Sequence, residues 1–296
     1  LKIHREEPLG DILLFLTGEE EIENACERIR EGSRNVQNKE RPLVLPLYAS
    51  LAPKDQQRVF RPAKNANQRK IIVSTNIAET SVTIPNIRYV VDLGLEKSRN
   101  FDFNRGVTTT KVDFISKASA KQREGRAGRT GPGYCFRLYS SGFFSNFAQF
   151  TEPEIKRRPI TEIVLLLKTM GLNDISQFPF PTTIEPHELE HSELILRHIG
   201  LLENEPPYKA TRLGTRVSLF PIEPRLGKLI VTASKFNCTE LAIALAAGLD
   251  AREPLSGRPE DENLISKRGD PFTLLHIFGA YLYEKSKNRE KQFCSK

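Results

Sequence analysis

The chain has 296 residues, more than one ordinary hydrophobic core accommodates, so two or three domains are expected. With 39% hydrophobic and 27% charged residues it reads as a globular chain rather than a disordered or fibrous one, and no apolar run approaches the roughly 20 residues of a membrane span. A net charge of +7 favours a polyanionic partner.

Residues 11–16 (DILLFL) form a short, nearly continuous apolar run ending at Thr17-Gly18, the pattern of a buried strand in a parallel sheet. A helix follows over 19–30, with Ile22, Ala25, Cys26 and Ile29 at helical spacing and acidic residues in its first turn. Further strands are predicted at 43–47, 69–74, 87–91 and 134–139, and a helix with proline in its first turn at 53–60. Strands alternating with helices imply a covered, mostly parallel sheet, whose ligands gather beyond the carboxyl ends of the strands. Thr17-Gly18, Thr75-Asn76 and Asp92-Leu93-Gly94 lie at such ends. Residues 98–116 break the order, alternating around an Asn104-Arg105-Gly106 turn. This is the pattern of a β-hairpin, either a plain edge hairpin or a functional projection.

Residues 121–133 (KQREGRAGRTGPG) concentrate positive charge among small side chains. Ser119 with Gln122 reads as a capping box opening a helix that runs to Thr130-Gly131-Pro132-Gly133. On that helix Arg126 and Arg129 stand at i and i+3, able to converge on one anion, while Gly125 and Gly128 clear space for a ligand or a facing domain. The plain alternative is a solvated basic helix end. After residue 150 helices dominate, at 159–170, 186–199, 223–236, 239–249 and 272–283, with an extended Phe178-Pro179-Phe180-Pro181 connector and a polar linker or long loop at 251–270. The four cysteines form no C-x-x-C pair, which fits a reducing compartment. The chain opens on Leu1 without an initiator Met or a signal-peptide pattern, and is expected to be a piece of a longer protein.

Four ordered segments resemble the second half of a DEAH-box RNA helicase. Residues 14–22 (LFLTGEEEI) are similar to motif IV, 47–51 (LYASL) to the segment after it, 74–81 (STNIAETS) to motif V and 122–130 (QREGRAGRT) to motif VI. The resemblance covers essentially the whole chain. It implies an α/β second RecA-like domain over 1–155 carrying the hairpin 98–116, then a winged-helix domain over 156–202 and a helical ratchet-like domain over 203–296. It further implies ATP and Mg²⁺ as ligands, with Arg126 and Arg129 as arginine fingers on the γ-phosphate and Gln122 positioning the attacking water. Phe60 falls where the family stacks an aromatic on the base, though its pattern alone reads as core, and Thr83 falls near the ribose. Thr17, Thr75, Asn76, Arg105 and Lys111 are the expected contacts to single-stranded RNA.

Two departures stand out. Pro85 occupies a position where many members carry an aspartate that contacts the ribose, and Leu93 replaces the proline of the Val-Asp-Pro-Gly turn. Pro85 together with residues 178–181 is most similar to the ribosome-biogenesis branch, nucleolar helicases acting on small-subunit precursors, with a splicing-type helicase as the alternative. The 296 residues hold no G-x-x-x-x-G-K-[ST] loop and no Asp-Glu-Ala-His box, so those parts are expected from a first RecA-like domain outside this chain. A glycine-rich patch protein is the partner the resemblance implies as activator.

Two rival readings come from the same residues. His187-Glu188-Leu189-Glu190-His191 matches the zinc-peptidase signature, but His198 lies about 10 Å along the helix from His191, too far to share a metal. The other rival is a RecA-shaped module that binds RNA without catalysis.

Overall fold

The computed structural model describes residues 1–34, 41–63, 65, 67–80, 83–102, 106–129, 131–251 and 262–294. Ser81, Phe103, Asn104, Arg105, Thr130 and much of the expected 251–270 linker lie outside the described residues. The chain divides into two compact units, Leu1–Arg158 and Pro159–Lys296.

In the first unit, β1 (Asp11–Phe15), β2 (Leu43–Leu47), β3 (Lys70–Ser74), β4 (Ile87–Asp92) and β7 (Tyr134–Arg137) form one sheet in the order β2-β3-β1-β4-β7. Every pairing in it is parallel, with Phe15 level with both Ser74 and Asp92. Parallel strands need crossovers that cover both faces, which is why the strand runs are apolar on both sides. Alternation then divides β1: Leu13 and Phe15 enter one core with Leu45, Leu47, Ile72, Val90, Val59, Ala78, Ile84 and Ala127. Ile12 and Leu14 pack on the other face with Val44, Val73, Tyr89, and Ile22 and Cys26 of α2 (Glu19–Gly32). Pro46 is tolerated because β2 is an edge strand. The expected helix at 53–60 is split into one α turn, Pro53–Gln56, and a 3₁₀ turn, Gln57–Phe60.

Two expectations require correction. The hairpin starts at residue 95 rather than 98: β5 (Leu95–Asp102) pairs antiparallel with β6 (Val107–Phe114). The basic helix is shorter and earlier than the capping box implied, spanning Lys117–Glu124, with Ser116 as the cap accepting from the Ser119 amide. We label it α4. It stops at Gly125 because two glycines in four residues weaken helix propagation, so neither glycine and neither finger candidate is helical.

The second unit is built from helices, among them α7 (Thr161–Thr169), α8 (Pro186–His198), α9 (Arg212–Val217), α10 (Pro224–Ala233), α11 (Thr239–Asp250) and α12 (Asp270–Ser286). One isolated antiparallel bridge joins Leu202 to Ala210. Its core takes Val164, Leu165, Leu196, Leu201, Leu202 and Val217. Helix α7 packs on α9 and α10 as well as on α8, so these elements join across the expected boundary at 202/203. Among the described residues, no helix is long and apolar enough to cross a membrane.

Candidate functional site

The parallel sheet collects the turns after β1, β3 and β4 at its carboxyl edge. The Leu16 amide donates to the Ser74 carbonyl at 2.8 Å, which sets Thr17 beside Thr75 and Asn76. Thr17 is buried, and both its amide and its hydroxyl donate to the Glu21 carboxylate. Thr75 caps the 3₁₀ turn Asn76–Ala78, and Asn76 is exposed. Lys111 stands exposed on β6 opposite Ser98.

The second cluster lies over the face holding Leu13 and Phe15. Past α4 the chain continues in tight turns, with the Arg126 and Ala127 amides donating to the carbonyls of Arg123 and Glu124. Buried Ala127 anchors this segment in the core, leaving Arg126 half-buried and Arg129 exposed on either side. Arg126 Nη2 donates to the carbonyls of Glu79 and Thr80, and Arg129 Nη1 to the hydroxyl of Thr83. Thus the two arginines and Thr83 are brought together, although not by a helix. Burial and the neighbouring Arg129 guanidinium hold Arg126 below the usual arginine range, so an arriving anion relieves both. Phe60 is half-buried and packs against the same core, serving it while keeping one side accessible. Gln122 is exposed on the last turn of α4.

Between the clusters lies a buried ionic network. Arg123 is fully buried, its Nε 3.1 Å from Glu79 and its Nη1 2.8 Å from Asp92 and 3.2 Å from the Leu95 carbonyl, over the Phe15 ring. Asp92, also fully buried, accepts from the Gly94 amide and the Tyr139 hydroxyl. Beside it, burial and the Glu79 charge push the Glu96 carboxyl up, against a hydrogen bond from Asn76.

Comparison with known proteins agrees with this arrangement. Residues 1–131 match the family described as helicase conserved C-terminal domain, and residues 223–295 the helicase associated domain (HA2), ratchet-like. A mouse protein, ATP-dependent RNA helicase DHX33, is 38% identical over 304 residues, which is 99% of this chain and 43% of that protein. "Probable ATP-dependent RNA helicase DHR1" of Saccharomyces cerevisiae is 43% identical over 230 residues, 77% of this chain and 18% of that protein. The chain belongs to the DEAH-box RNA helicases. It spans less than half the length of either relative.

Sequence reasoning passed over Arg123 and Glu79 within the DEAH-box motifs, and Glu96 and Tyr139 outside them. Asp92 was legible only as part of a strand-end turn, and its partner Arg123 follows Lys121-Gln122 with no apolar signal to set it apart. Of the residues of the peptidase signature, His187 and His191 lie on α8, and His198 Nδ1 contacts the Leu194 carbonyl. No group of three potential metal ligands assembles among the described residues.

Proposed function

We propose that this chain is the C-terminal portion of an ATP-dependent RNA helicase that couples ATP hydrolysis to translocation on RNA and to remodelling of RNA–protein complexes. The observation carrying this reading is the convergence of Arg126 and Arg129 beside Thr83, on the face that also bears Phe60. Two guanidiniums there neutralise charge that builds on the γ-phosphoryl group during transfer, Gln122 orients the attacking water, Phe60 stacks on the base and Thr83 lies by the ribose. This cluster offers cations rather than carboxylates, so Mg²⁺, which would offset phosphate charge, would be held by the first RecA-like domain together with the phosphate loop. Without that domain the chain is expected not to hydrolyse ATP.

Thr17, Thr75, Asn76 and Lys111 are the proposed RNA contacts, the first three at one sheet edge where small polar groups and backbone amides suit phosphates. Thr17 reaches an RNA phosphate when Glu21 releases its amide and hydroxyl. Arg105, outside the described residues, is retained on its position in the hairpin sequence. We assign a winged-helix domain to about 156–202 and a ratchet-like domain beyond it by family resemblance. Pro85 and residues 178–181 support the ribosome-biogenesis branch, and with it a nuclear, nucleolar location and a glycine-rich patch activator.

Joining the chain to its first domain and measuring RNA-stimulated ATP hydrolysis tests the reading. Arg126→Ala and Arg129→Ala are each expected to reduce kcat by about 10³-fold or more. Parent-like hydrolysis in both variants would refute the finger assignment. An assembled protein that binds RNA but never hydrolyses ATP would favour the non-catalytic module.

A further inference from the structure

The roles proposed above use neither Lys70 nor Asp11, yet these buried charges meet beside the turn that carries Phe60. Lys70, only 1% exposed at the start of β3, sends its ammonium back to the 3₁₀ turn Gln57–Phe60. Its Nζ donates to the Val59 carbonyl at 2.9 Å and to the Arg61 carbonyl at 3.2 Å, so it holds the residues on either side of Phe60. Asp11, at the start of β1, fixes the lysine at both ends: Oδ1 accepts from the Lys70 amide at 2.8 Å and Oδ2 lies 3.4 Å from Nζ. Beyond Phe60 the chain borders open space, because Pro62 and Ala63 line a cavity of about 560 Å³ that Asp11 and Lys70 line as well. Taking two charges out of water is costly and apolar packing could hold the strand ends equally well, so stability alone does not account for this pair.

We propose that Lys70, clamped by Asp11, is a positioning residue that sets the Phe60 ring where it stacks on the nucleotide base, an inference that rests on the helicase reading above. Carbonyls at the end of a helical turn have no partner within it and need one from elsewhere. Here a single ammonium supplies it before and after the aromatic residue, while the buried Val59 side chain anchors the turn in the core. The backbone of Phe60 is thereby held at two points, and the accessible side of its ring is left for the base. Without the ammonium, the Arg61 carbonyl is free to swing toward the cavity and Phe60 moves with it. Arg126 and Arg129 belong to a different segment, so the loss falls on nucleotide binding rather than on phosphoryl transfer.

The test uses the full-length protein with its first domain in place and follows RNA-stimulated hydrolysis as ATP is varied. In Asp11→Asn/Lys70→Met, asparagine keeps an acceptor for the residue 70 amide, methionine fills the space of the lysine stem, and no buried charge is left unpaired. KM for ATP is expected to rise about tenfold, within the range of one base–aromatic stack, while kcat stays within about twofold of the parent. Lys70→Met alone, in which Asp11 can take up a proton, is a second variant with the same expected split should the first fail to fold. Phe60→Ala is expected to raise KM at least as much. Adding Asp11→Asn/Lys70→Met to Phe60→Ala should raise it less than about twofold further, since the pair acts only through that ring, whereas a general structural role would multiply the two effects. An unchanged KM, a kcat that falls with kcat/KM, or multiplied effects overturns the proposal alone. A Phe60→Ala protein with the parent's KM overturns it together with the assignment of Phe60 to the base.

Discussion

Replacing Gly133 by alanine tests how the arginine segment is held. A Cβ there would lie 2.1 Å from the Ala127 carbonyl oxygen, 2.7 Å from its carbon and 2.8 Å from the Ala127 Cβ. Carbon and carbonyl oxygen ordinarily approach to about 3.3 Å, so the backbones must separate by about 1 Å. None of the three atoms is the free end of a flexible side chain, and Ala127 is itself packed in the core, so the separation cannot be absorbed locally. Overpacking of this kind costs about 1–3 kcal/mol. For a domain of this size that lowers Tm by about 2–4 °C per kcal/mol, or roughly 2–12 °C, measurable by circular dichroism or scanning calorimetry. Because Ala127 lies between Arg126 and Arg129, the same shift displaces both guanidiniums. Hydrolysis by the assembled protein should fall about 10²-fold, as misplacement by 1 Å does elsewhere. Gly128→Ala is the control for stability, since a Cβ at 128 meets nothing within 4 Å. If Gly133→Ala melts with the parent and hydrolyses ATP normally, Ala127 does not set the arginines as described.

Three other outcomes follow from the same structure. Asp92→Asn removes one carboxylate from the fully buried Arg123 and should destabilise the chain by about 3 kcal/mol or more, read as a lower denaturant midpoint with unchanged slope; a change under about 0.5 kcal/mol would contradict the pairing. Burial raises the Glu96 carboxyl in the folded chain, so this group stabilises fully below its ordinary value of 4.5 and loses that contribution as pH rises through the folded value. The Tm of Glu96→Gln relative to the parent should therefore be higher at pH 7 than at pH 4, and the opposite trend would refute the burial argument. Lys111→Ala should weaken RNA binding and flatten its salt dependence by about one counterion, and an unchanged slope would take β6 out of the RNA path.

The sheet was largely readable because strands buried on both faces are apolar at nearly every position, and 43–47 was predicted to the residue. The helix α9 was not, since its sequence RLGTRV has no apolar period. Its shape comes from Thr211 capping the Gly214 amide and from Gly214 lying where a Cβ would meet the Leu201 carbonyl oxygen at 2.1 Å. Serine choice misplaced the start of α4: Ser116 and Ser119 both suit a cap, and only tertiary packing selects the first. The hairpin start was missed because Leu95-Glu96-Lys97-Ser98 does not alternate. In the site, spacing brought Arg126 and Arg129 to notice, but Arg123 looks in sequence like its basic neighbours Lys121 and Arg126. Unlike exposed Lys121 and half-buried Arg126, it is fully buried by the pair of carboxylates drawn in from residues 79 and 92.

The all-parallel sheet also has a bearing on how this chain can vary. Every turn of the proposed RNA edge closes the same end of the sheet, whereas the connections entering β2, β3 and β4 arrive at the opposite end. Chain added at that opposite end leaves the register of Phe15 with Ser74 and Asp92 untouched. Diversification, or a fluorescent tag placed by an experimenter, has room on that side without retuning the working edge.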